Sequence, residues 1–256
     1  MTILRLKTPF LLRYKFGLAA LLMTFTLRPA VAQPKPLDFR FRVGALLFED
    51  DFGHGLSQWT NELENGGSVL AKNGALEVDV PAGATIWFKP QIEGPVLIEY
   101  EATALKQGGP NDRVSDLNCF WMARDARSPN DIFATKRSGK FADYNQLLTY
   151  YVGLGGNANT TTRFRRYIGE AELRPLLPAH DLGAPVHLLV PNQSQIIRLV
   201  AANGLIQFYR DERRVFELQD AQPYRSGWFG FRTVQSHLKF RYFRVYRLIL
   251  TPAATQ

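Results

Sequence analysis

The segment Tyr150–Tyr167 is rich in residues that favour β-strands. It carries polar and charged side chains that could contact a ligand, in place of the apolar side chains that a core strand would carry. Its sequence is YYVGLGGNANTTTRFRRY, with three threonines and three arginines between its tyrosines. Arginine presents a planar fork of donors that suits carboxylates and paired hydroxyls, and tyrosine adds a flat ring with a polar tip. This combination suits an acidic sugar polymer. The alternative is a solvated outer strand that carries arginine for solubility.

Alternation along a strand would divide this segment between two faces of a sheet. One face would carry Thr161, Arg163 and Arg165, and the other would carry Thr162, Phe164 and Arg166. At least one of these arginine-bearing faces must contact water or a ligand. The same rule puts Tyr150 and Tyr151 on opposite faces, so at most one of them can belong to a single site.

A second polar segment precedes the first. If Asp116–Ala123 is a strand, its core face would carry Leu117, Cys119, Trp121 and Ala123. Asp116 and Asn118 would then project beside the arginine strand, and the mouth of the site would carry Asn111, Asp112 and Arg113. The alternative is a hydrogen-bonded loop, because Gly108–Asp112 contains the residues that turns require.

Elimination at a uronic acid needs a group that neutralises the carboxylate, a base that removes the ring proton and an acid that protonates the leaving oxygen. The candidates are Arg163 and Asn157 as neutralisers, Tyr150 or Tyr151 as the acid, and His180 or His237 as the base, with Asp116 beside them. We therefore rank a polysaccharide lyase first among the possible functions. The residues predicted to bind substrate are Asn111, Asp112, Arg113, Asn118, Tyr151, Asn157, Thr161, Arg165, Trp228, Arg232 and His237.

Two other functions remain open. A glycoside hydrolase would need two carboxylates, and Asp112 with Asp116 is the only such pair in this region. A binding module without chemistry would use aromatic rings as stacking platforms for sugars. Trp228 and Arg232 would share one face of the segment SGWFGFRT, opposite Phe229 and Phe231, which suits a polar role for the first two.

The elements that must position these residues are short strands. Asn73-Gly74 and Asn203-Gly204 are strong hairpin turns, and Asp211-Glu212 turns the chain again. Proline and glycine interrupt every long helical pattern, so only one short helix, near Tyr144–Leu148, is expected. The sequence therefore predicts an all-β fold, a two-sheet antiparallel β-sandwich or jelly roll, with a closed barrel as the alternative.

Residues 1–32 have the pattern of a secretory signal peptide: basic residues, an apolar run and the cleavage pattern Ala30-Val31-Ala32. Removal of its five basic residues would lower the formal charge from +8 to +3, which does not indicate a nucleic-acid binder. We expect a tether and first strand at 33–45 and a jelly-roll carbohydrate-active domain at 46–250. The protein would be a soluble, periplasmic or extracellular monomer without a membrane anchor.

The single cysteine, Cys119, excludes an intramolecular disulfide and is expected to be a small core residue. No zinc-ligand spacing is present, so no cofactor is predicted. A structural calcium ion is possible, with oxygen ligands from Asp50-Asp51 or Asp211-Glu212.

Several segments together resemble an uncharacterised family of secreted bacterial proteins with concanavalin A-like jelly-roll domains, the domain of unknown function 6250 family. They are DDFGHGLSQW at Asp50–Trp59, GGPNDRVSDLNCFWMARD at Gly108–Asp125, the Tyr150–Tyr167 segment, RPLLPAHDL at Arg174–Leu182, and SGWFGFRTVQSHLKFRYFRV at Ser226–Val245. The resemblance covers almost all of the chain after residue 32. It implies a fold related to polysaccharide lyases and glucanases, and a carbohydrate ligand more firmly than any one reaction.

Overall fold

The fold consists of strands whose buried and exposed residues alternate. The computed structural model describes residues 34–35, 37–171 and 173–251, so the predicted signal peptide at 1–32 lies outside the described residues. Along Leu76–Val80 the side chains of Leu76, Val78 and Val80 are fully buried, and the two acidic residues between them are half-buried. A two-residue period of this kind places one face of a strand against a core.

Two antiparallel sheets contain these strands. In order across the first sheet lie β14 (Arg213–Gln219), β13 (Leu205–Arg210), β12 (Ser194–Ala202), β7 (Val96–Ala104), β16 (Ser236–Leu250), β4 (Leu76–Val80) and β3 (Ser68–Ala71), and β1 (Phe41–Asp50) also pairs with β16. In order across the second lie β11 (Asp181–Leu182), β10 (Thr161–Ile168), β9 (Leu147–Gly155), β8 (Asn118–Asp125), β15 (Ser226–Thr233), β5 (Ala84–Phe88) and β2 (Trp59–Leu63), and β6 (Ile92–Glu93) pairs with β15. The predicted two-sheet antiparallel sandwich is confirmed, and the closed barrel is not formed.

The three predicted turns join neighbouring strands. Asn73 and Gly74 connect β3 to β4 with φ values of 52° and 65°, and Asn203 and Gly204 connect β12 to β13 with φ values of 48° and 87°. Two consecutive positive φ angles define the hairpin turn that matches the twist of paired strands. Asp211, with φ of 57°, begins the turn from β13 to β14.

An aromatic core fills the space between the sheets. The ring of Trp59 stacks on that of Phe231 at 5.3 Å and meets that of Phe243 edge-on at 5.0 Å. The indole N–H of Trp59 donates to the carboxylate of Asp50 at 2.8 Å. Cys119 is buried in this core as predicted, and burial raises the pKa of its thiol to about 12.

Three details differ from the sequence-based predictions. The chain from Phe41 to Asp50 is one strand, so the predicted boundary at 45/46 falls inside β1. The short helix is a 3-10 turn at Phe141–Tyr144, and β9 already begins at Leu147. Met122 has a φ of 52° and lies at a bulge in the pairing of β8, so Met122 enters the core between the sheets and Ala123 packs on the opposite face.

The remaining helical turns are 3-10 turns at Ile132–Ala134, Pro178–His180 and Pro185–His187, and Gly156–Asn159 forms a single turn after β9. Among the described residues, none of these helical segments has the length and apolar character needed to cross a bilayer.

We predict that Trp59→Ala lowers the free energy of unfolding by about 3–5 kcal/mol, because it leaves a cavity among the core rings and removes one of the hydrogen-bond donors to Asp50. Urea unfolding measures the change. Leu70→Ala, at a side chain that is 55% exposed, is the control and should change stability by less than about 0.5 kcal/mol. Equal losses in the two variants would contradict the assignment of Trp59 to the core.

Candidate functional site

A long connection covers part of the outer face of the second sheet, the face turned away from the core. Residues 126–146 link β8 to β9. Ile132 and Tyr144 from this connection are fully buried against Trp87, Phe120 and Trp228 of the sheet. The connection therefore fills the space over β15, β5 and β2, and we call it the covering loop.

Arg137 attaches the covering loop to the sheet. Its guanidinium is fully buried, lies 2.9 Å from a carboxylate oxygen of Asp125 and 3.0 Å from one of Glu62, and donates to the carbonyl of Ile132 at 2.8 Å. It also lies 5.5 Å from the centre of the Trp87 ring. A buried charge is tolerated only when it is paired and hydrogen-bonded, and Arg137 meets both conditions.

The backbone of the covering loop lies directly on the sheet at Gly139. Gly139 has a φ of 91°, and a Cβ atom there would lie 2.5 Å from the backbone nitrogen of Glu64. Its carbonyl accepts a hydrogen bond from Arg232 at 2.6 Å. Only glycine fits both this conformation and this close approach.

Beside the covering loop, an open pocket of about 400 Å³ remains on the outer face over β8, β9 and β10. Its floor is formed by side chains of these three strands, and its walls include Phe141 from the covering loop and Arg174 from the chain after β10. The residues that line it are Asp116, Asn118, Phe141, Tyr151, Gly153, Gly156, Asn157, Thr161, Arg163, Arg165, Tyr167, Arg174 and Val234. We call it the arginine pocket.

Strand pairing sets the order of the floor residues. Arg163 is opposite Gly153, and Arg165 is opposite Tyr151. Thr161, Arg163, Arg165 and Tyr167 share the pocket face of β10, as alternation predicts. Gly153 leaves the floor free of a side chain beside Arg163, and a Cβ atom there would lie 3.0 Å from the Tyr151 hydroxyl.

The arginines of the pocket differ in their partners. Arg163 forms a two-pronged ion pair with Asp181, with nitrogen-to-oxygen distances of 2.7 and 3.1 Å. Arg165 donates to the carbonyl of Arg174, and the guanidinium of Arg174 lies 5.4 Å from the centre of the Phe141 ring. Over the described part of the chain, neither Arg165 nor Arg174 has a carboxylate within ion-pair distance. Among the described residues, the positive charges of these two guanidinium groups are therefore not compensated by ion pairs.

Two tyrosines at the inner end of the pocket are hydrogen-bond donors at neutral pH. Tyr151 is 7% exposed and Tyr167 is fully buried. Burial raises the pKa of both phenols, and the nearby Arg174 offsets only part of this rise for Tyr167. Both phenols therefore keep their protons and can donate to oxygen atoms of a ligand.

Asn118 presents an unsatisfied amide to the pocket. The side chain is 1% exposed, and its Oδ1 atom accepts no hydrogen bond within the described residues. Its Nδ2 atom reaches Asp116 at 3.4 Å, and Asp116 is also paired with Arg113 at 2.6 Å. Buried polar atoms are nearly always satisfied, so an open one in a pocket indicates a place for a ligand atom or water.

The backbone at the mouth of the pocket is left-handed. Gly155, Asn157, Ala158 and Asn159 have φ values of 65°, 52°, 56° and 62°, and Asp116 opposite them has a φ of 58°. The two segments are joined by a hydrogen bond of 3.1 Å from Asp116 N–H to the Gly155 carbonyl. Left-handed conformations at residues other than glycine cost free energy and cluster at functional sites.

Two predicted catalytic residues lie outside this pocket, which corrects the sequence-based site. Tyr150 points into the core and donates to Asp220 at 2.7 Å, because it alternates with Tyr151 on β9. His180 is 7% exposed, and its ring packs edge-on at 4.9 Å from that of Phe164 on the core side of β10. Its Nε2 atom lies 3.1 Å from the Glu217 carbonyl. The arginine pocket therefore contains no histidine among the residues that line it.

Two further predicted residues share the pocket's face but are covered. Trp228 is 5% exposed, packs against Phe133 of the covering loop and donates to the Lys89 carbonyl at 3.1 Å. Arg232 is 1% exposed and lies beneath the rings of Phe141 and Tyr144. Neither side chain lines the pocket.

Three more predicted residues stabilise a loop beside the pocket. Asp112 accepts hydrogen bonds from the backbone N–H groups of Gln107 and Gly109. His237 lies between two carboxylates, 2.9 Å from Asp112 and 3.1 Å from Glu77, and Asn111 donates to Asp79 at 2.8 Å. Asp112 and Asp116 therefore do not face each other across the pocket, which removes the predicted pair for hydrolysis.

Two of the acids proposed for calcium already accept hydrogen bonds from donors of the protein. Asp50 accepts from the N–H of Phe52 at 2.7 Å as well as from Trp59, and Asp211 accepts from the N–H of Ile196 at 3.0 Å. Within the described ranges, no three histidine, cysteine or acidic side chains lie close enough together to hold a metal ion.

Sequence reasoning missed six residues of the pocket: Phe141, Gly153, Gly156, Tyr167, Arg174 and Val234. Tyr167 follows Arg165 by two positions on the same strand, so alternation alone could have identified it. Gly153 is opposite Arg163 only once β9 and β10 are paired. Phe141 and Arg174 come from loops, and no local pattern brings them to the sheet.

Two packed antiparallel sheets define the protein as a jelly-roll sandwich. The arginine pocket lies on the outer face of the second sheet. A protein of unknown function with a galectin-like fold from Bacillus subtilis has this fold, with a TM-score of 0.65 and 17% identity over 82% of this chain and all of its own. A variant of LamA from Zobellia galactanivorans in complex with laminaritriose and laminaritetraose gives a TM-score of 0.53 and 13% identity over 80% of this chain and all of its own. The carbohydrate binding module CBM66 from Bacillus subtilis gives 0.51 and 12% over 75% of this chain and 96% of its own.

The family follows from the sequence itself. The model described as Domain of unknown function (DUF6250) matches residues 78–243, and the chain belongs to this family. The match spans the covering loop and every residue that lines the arginine pocket. No curated protein sequence matches this chain.

We predict that Arg137→Ala lowers the free energy of unfolding by about 3–5 kcal/mol, because it leaves the buried carboxylate of Asp125 without its buried cation. Arg127→Ala is the matched control, because Arg127 contacts the same carboxylate from a side chain that is 42% exposed. That control should cost about 1 kcal/mol or less. Urea unfolding of both variants checks the difference, and similar losses would contradict the role of Arg137.

The contacts of His237 predict a pH dependence of stability. Burial lowers the pKa of His237, but hydrogen bonds to Asp112 and Glu77 and the charge of Asp79 outweigh this, so the net shift is upward from 6.5. A raised folded-state pKa means that the stabilisation is complete below the unfolded pKa and is lost as pH rises through the folded pKa. The stability difference between the wild type and His237→Gln should therefore be constant below pH 6.5 and shrink as pH rises above it.

Urea unfolding at several pH values measures this difference directly. Subtracting the variant from the wild type removes the contributions of the other histidines, including His180. His54→Gln is the control, because His54 is exposed in the turn before β2. A wild-type advantage over His237→Gln that stays constant with pH would show that the His237 contacts are not ionic.

Proposed function

We propose that the protein binds an acidic saccharide in the arginine pocket. The observation that carries this proposal is the charge of Arg165 and Arg174 beside an open pocket, which no carboxylate of the described residues pairs. A guanidinium is matched in shape and charge to a uronate carboxylate or a sulfate group. Arg165 and Arg174 are half-buried, and burial lowers the pKa of Arg165, so a bound anion would favour its charged form.

The other polar groups of the pocket suit the rest of a sugar. The phenols of Tyr151 and Tyr167 can donate to ring and hydroxyl oxygens, and the free Oδ1 atom of Asn118 can accept from a sugar hydroxyl. The ring of Phe141 offers an apolar wall for the sugar's C–H face. The shared fold with LamA, which was solved with laminari-oligosaccharides, and with CBM66 adds support by analogy.

Elimination at a uronic acid is the second candidate function. Two protonated phenols lie beside Asp116, Asn118 and three arginines, so one phenol could protonate the leaving oxygen and an arginine could neutralise the carboxylate. In this scheme Asp116 would accept the ring proton, the bond from the ring to the leaving oxygen would break, and a double bond would form in the ring. Hydrolysis by two carboxylates ranks lower, because Asp116 is the one acidic residue among the described residues that line the pocket.

Export remains part of the proposal. The signal-peptide pattern at residues 1–32 would bring the domain to the periplasm or outside the cell, where polysaccharides are available. The single buried cysteine is compatible with an oxidising compartment, since it has no partner for a disulfide within the chain.

Binding is tested by isothermal titration of residues 33–256 with oligomers of galacturonate, mannuronate and glucuronate, and with laminarin as the neutral comparison. We expect an acidic oligomer to bind and laminarin to bind more weakly. Arg165→Ala should weaken binding by about tenfold to a hundredfold, because it removes a charge-assisted contact. Arg42→Ala, at an exposed position on β1, is the control and should bind as the wild type does.

Affinity should also fall as salt is raised, since the contacts are ionic. An Arg165→Ala variant that binds as tightly as the wild type would overturn the proposal. Absorbance near the ultraviolet edge during incubation with the same oligomers separates elimination from binding alone, because only elimination creates a conjugated double bond.

A further inference from the structure

We propose that the arginine pocket recognises the end of an acidic saccharide chain and excludes internal segments. This inference rests on the proposed function and concerns the shape of the same site. A groove that holds the middle of a polymer must be open at both ends. The arginine pocket is closed on two sides, and each closure can be traced to particular residues.

The first closure lies across the strands. A row of side chains crosses the outer face from Arg163 on β10 and Asn118 on β8 to Arg232, Thr85 and Glu62 on β15, β5 and β2. The first two line the pocket, whereas Arg232 and Thr85 are no more than 1% exposed. Glu62 accepts hydrogen bonds from Tyr144 at 2.6 Å and Trp87 at 2.9 Å. A polymer that continued along this row would have to occupy the space of the covering loop.

The covering loop cannot easily move aside to admit a polymer. Arg137, Tyr144 and Glu62 form a connected network of ion pairs and hydrogen bonds beneath it. Gly139 rests on the backbone of β2 without room for even a methyl group. Displacing the loop would expose Ile132 and leave buried charges unpaired.

The second closure lies along the strands, at the inner end of the pocket. Arg174 reaches from the chain after β10 to the Phe141 ring of the covering loop, at 5.4 Å, so the two walls meet. Arg165 donates to the carbonyl of Arg174 and holds this wall against the sheet. Tyr167 is fully buried at this end, whereas Asn157 is exposed and Val234 is half-buried at the opposite end.

The size and charge of the pocket agree with a chain end. A volume of about 400 Å³ lies at the lower end of the range for pockets that enclose small molecules, which is roughly 300–1,000 Å³. Arg165 and Arg174, without carboxylate partners in the described residues, lie at the closed inner end. A terminal uronate would enter between Asn157 and Val234 and place its carboxylate against these two guanidinium groups.

The test measures affinity and stoichiometry against chain length. Residues 33–256 are titrated calorimetrically with the trisaccharide, the hexasaccharide and the polymer of galacturonate, mannuronate and glucuronate. We expect one protein per chain and the same affinity per chain from the trisaccharide to the polymer. Borohydride reduction of the reducing end identifies the end that binds. Reduction should abolish binding if the pocket recognises the reducing end, and it should leave binding unchanged if the pocket recognises the other end.

The outcomes separate the two proposals. Affinity that rises with chain length, with several proteins bound along each polymer, would overturn chain-end recognition and leave acidic saccharide binding in place. Failure of every acidic oligomer to bind would overturn the proposed function, and this inference with it.

A variant tests the closing wall directly. Phe141→Ala removes the side chain that Arg174 meets, so more than one protein should bind each polymer chain. Phe133→Ala is the matched control, because Phe133 belongs to the same loop but packs against Trp228, outside the pocket. A Phe141→Ala protein that still binds once per chain would contradict the role of Phe141 as the wall that closes the pocket.

Discussion

The buried ion pairs of Arg137 are the interaction on which the outer face of the second sheet depends. A guanidinium with no exposed surface, paired with Asp125 and Glu62, holds the covering loop over half of that face. Without such pairing the buried charge would be costly, and the loop would not remain packed on the sheet. Because the loop is packed on the sheet, the outer face has a pocket beside a covered region and not a continuous groove.

The chemistry of the pocket follows from the same division. Under the covering loop, polar groups such as Glu62 are taken up by partners within the protein. Beside the loop, Arg165, Arg174 and Asn118 keep charge or hydrogen-bonding capacity that no described residue satisfies. Proteins of similar fold and low identity show how widely the sandwich is reused, so the ligand must be argued from these side chains and not from the fold.

Local sequence rules predicted the fold where the controlling residues are neighbours in the chain. Asn-Gly pairs at 73–74 and 203–204 form hairpins because asparagine and glycine tolerate positive φ angles. Alternation placed Arg163 and Arg165 together and separated Tyr150 from Tyr151. It failed after Trp121, where the bulge at Met122 adds a residue to one strand and reverses the faces.

The sequence by itself determined that the chain forms two antiparallel sheets and that Arg163 and Arg165 lie on the same face of β10. Both depend on turn residues and a two-residue period, which act over a few positions. Tertiary structure alone decided that His180 packs in the core and that Asp181 forms an ion pair with the guanidinium of Arg163. It also decided that the guanidinium of Arg174 packs on the ring of Phe141. These contacts join segments brought together only by packing, and side-chain burial and charge pairing depend on that packing rather than on any local pattern.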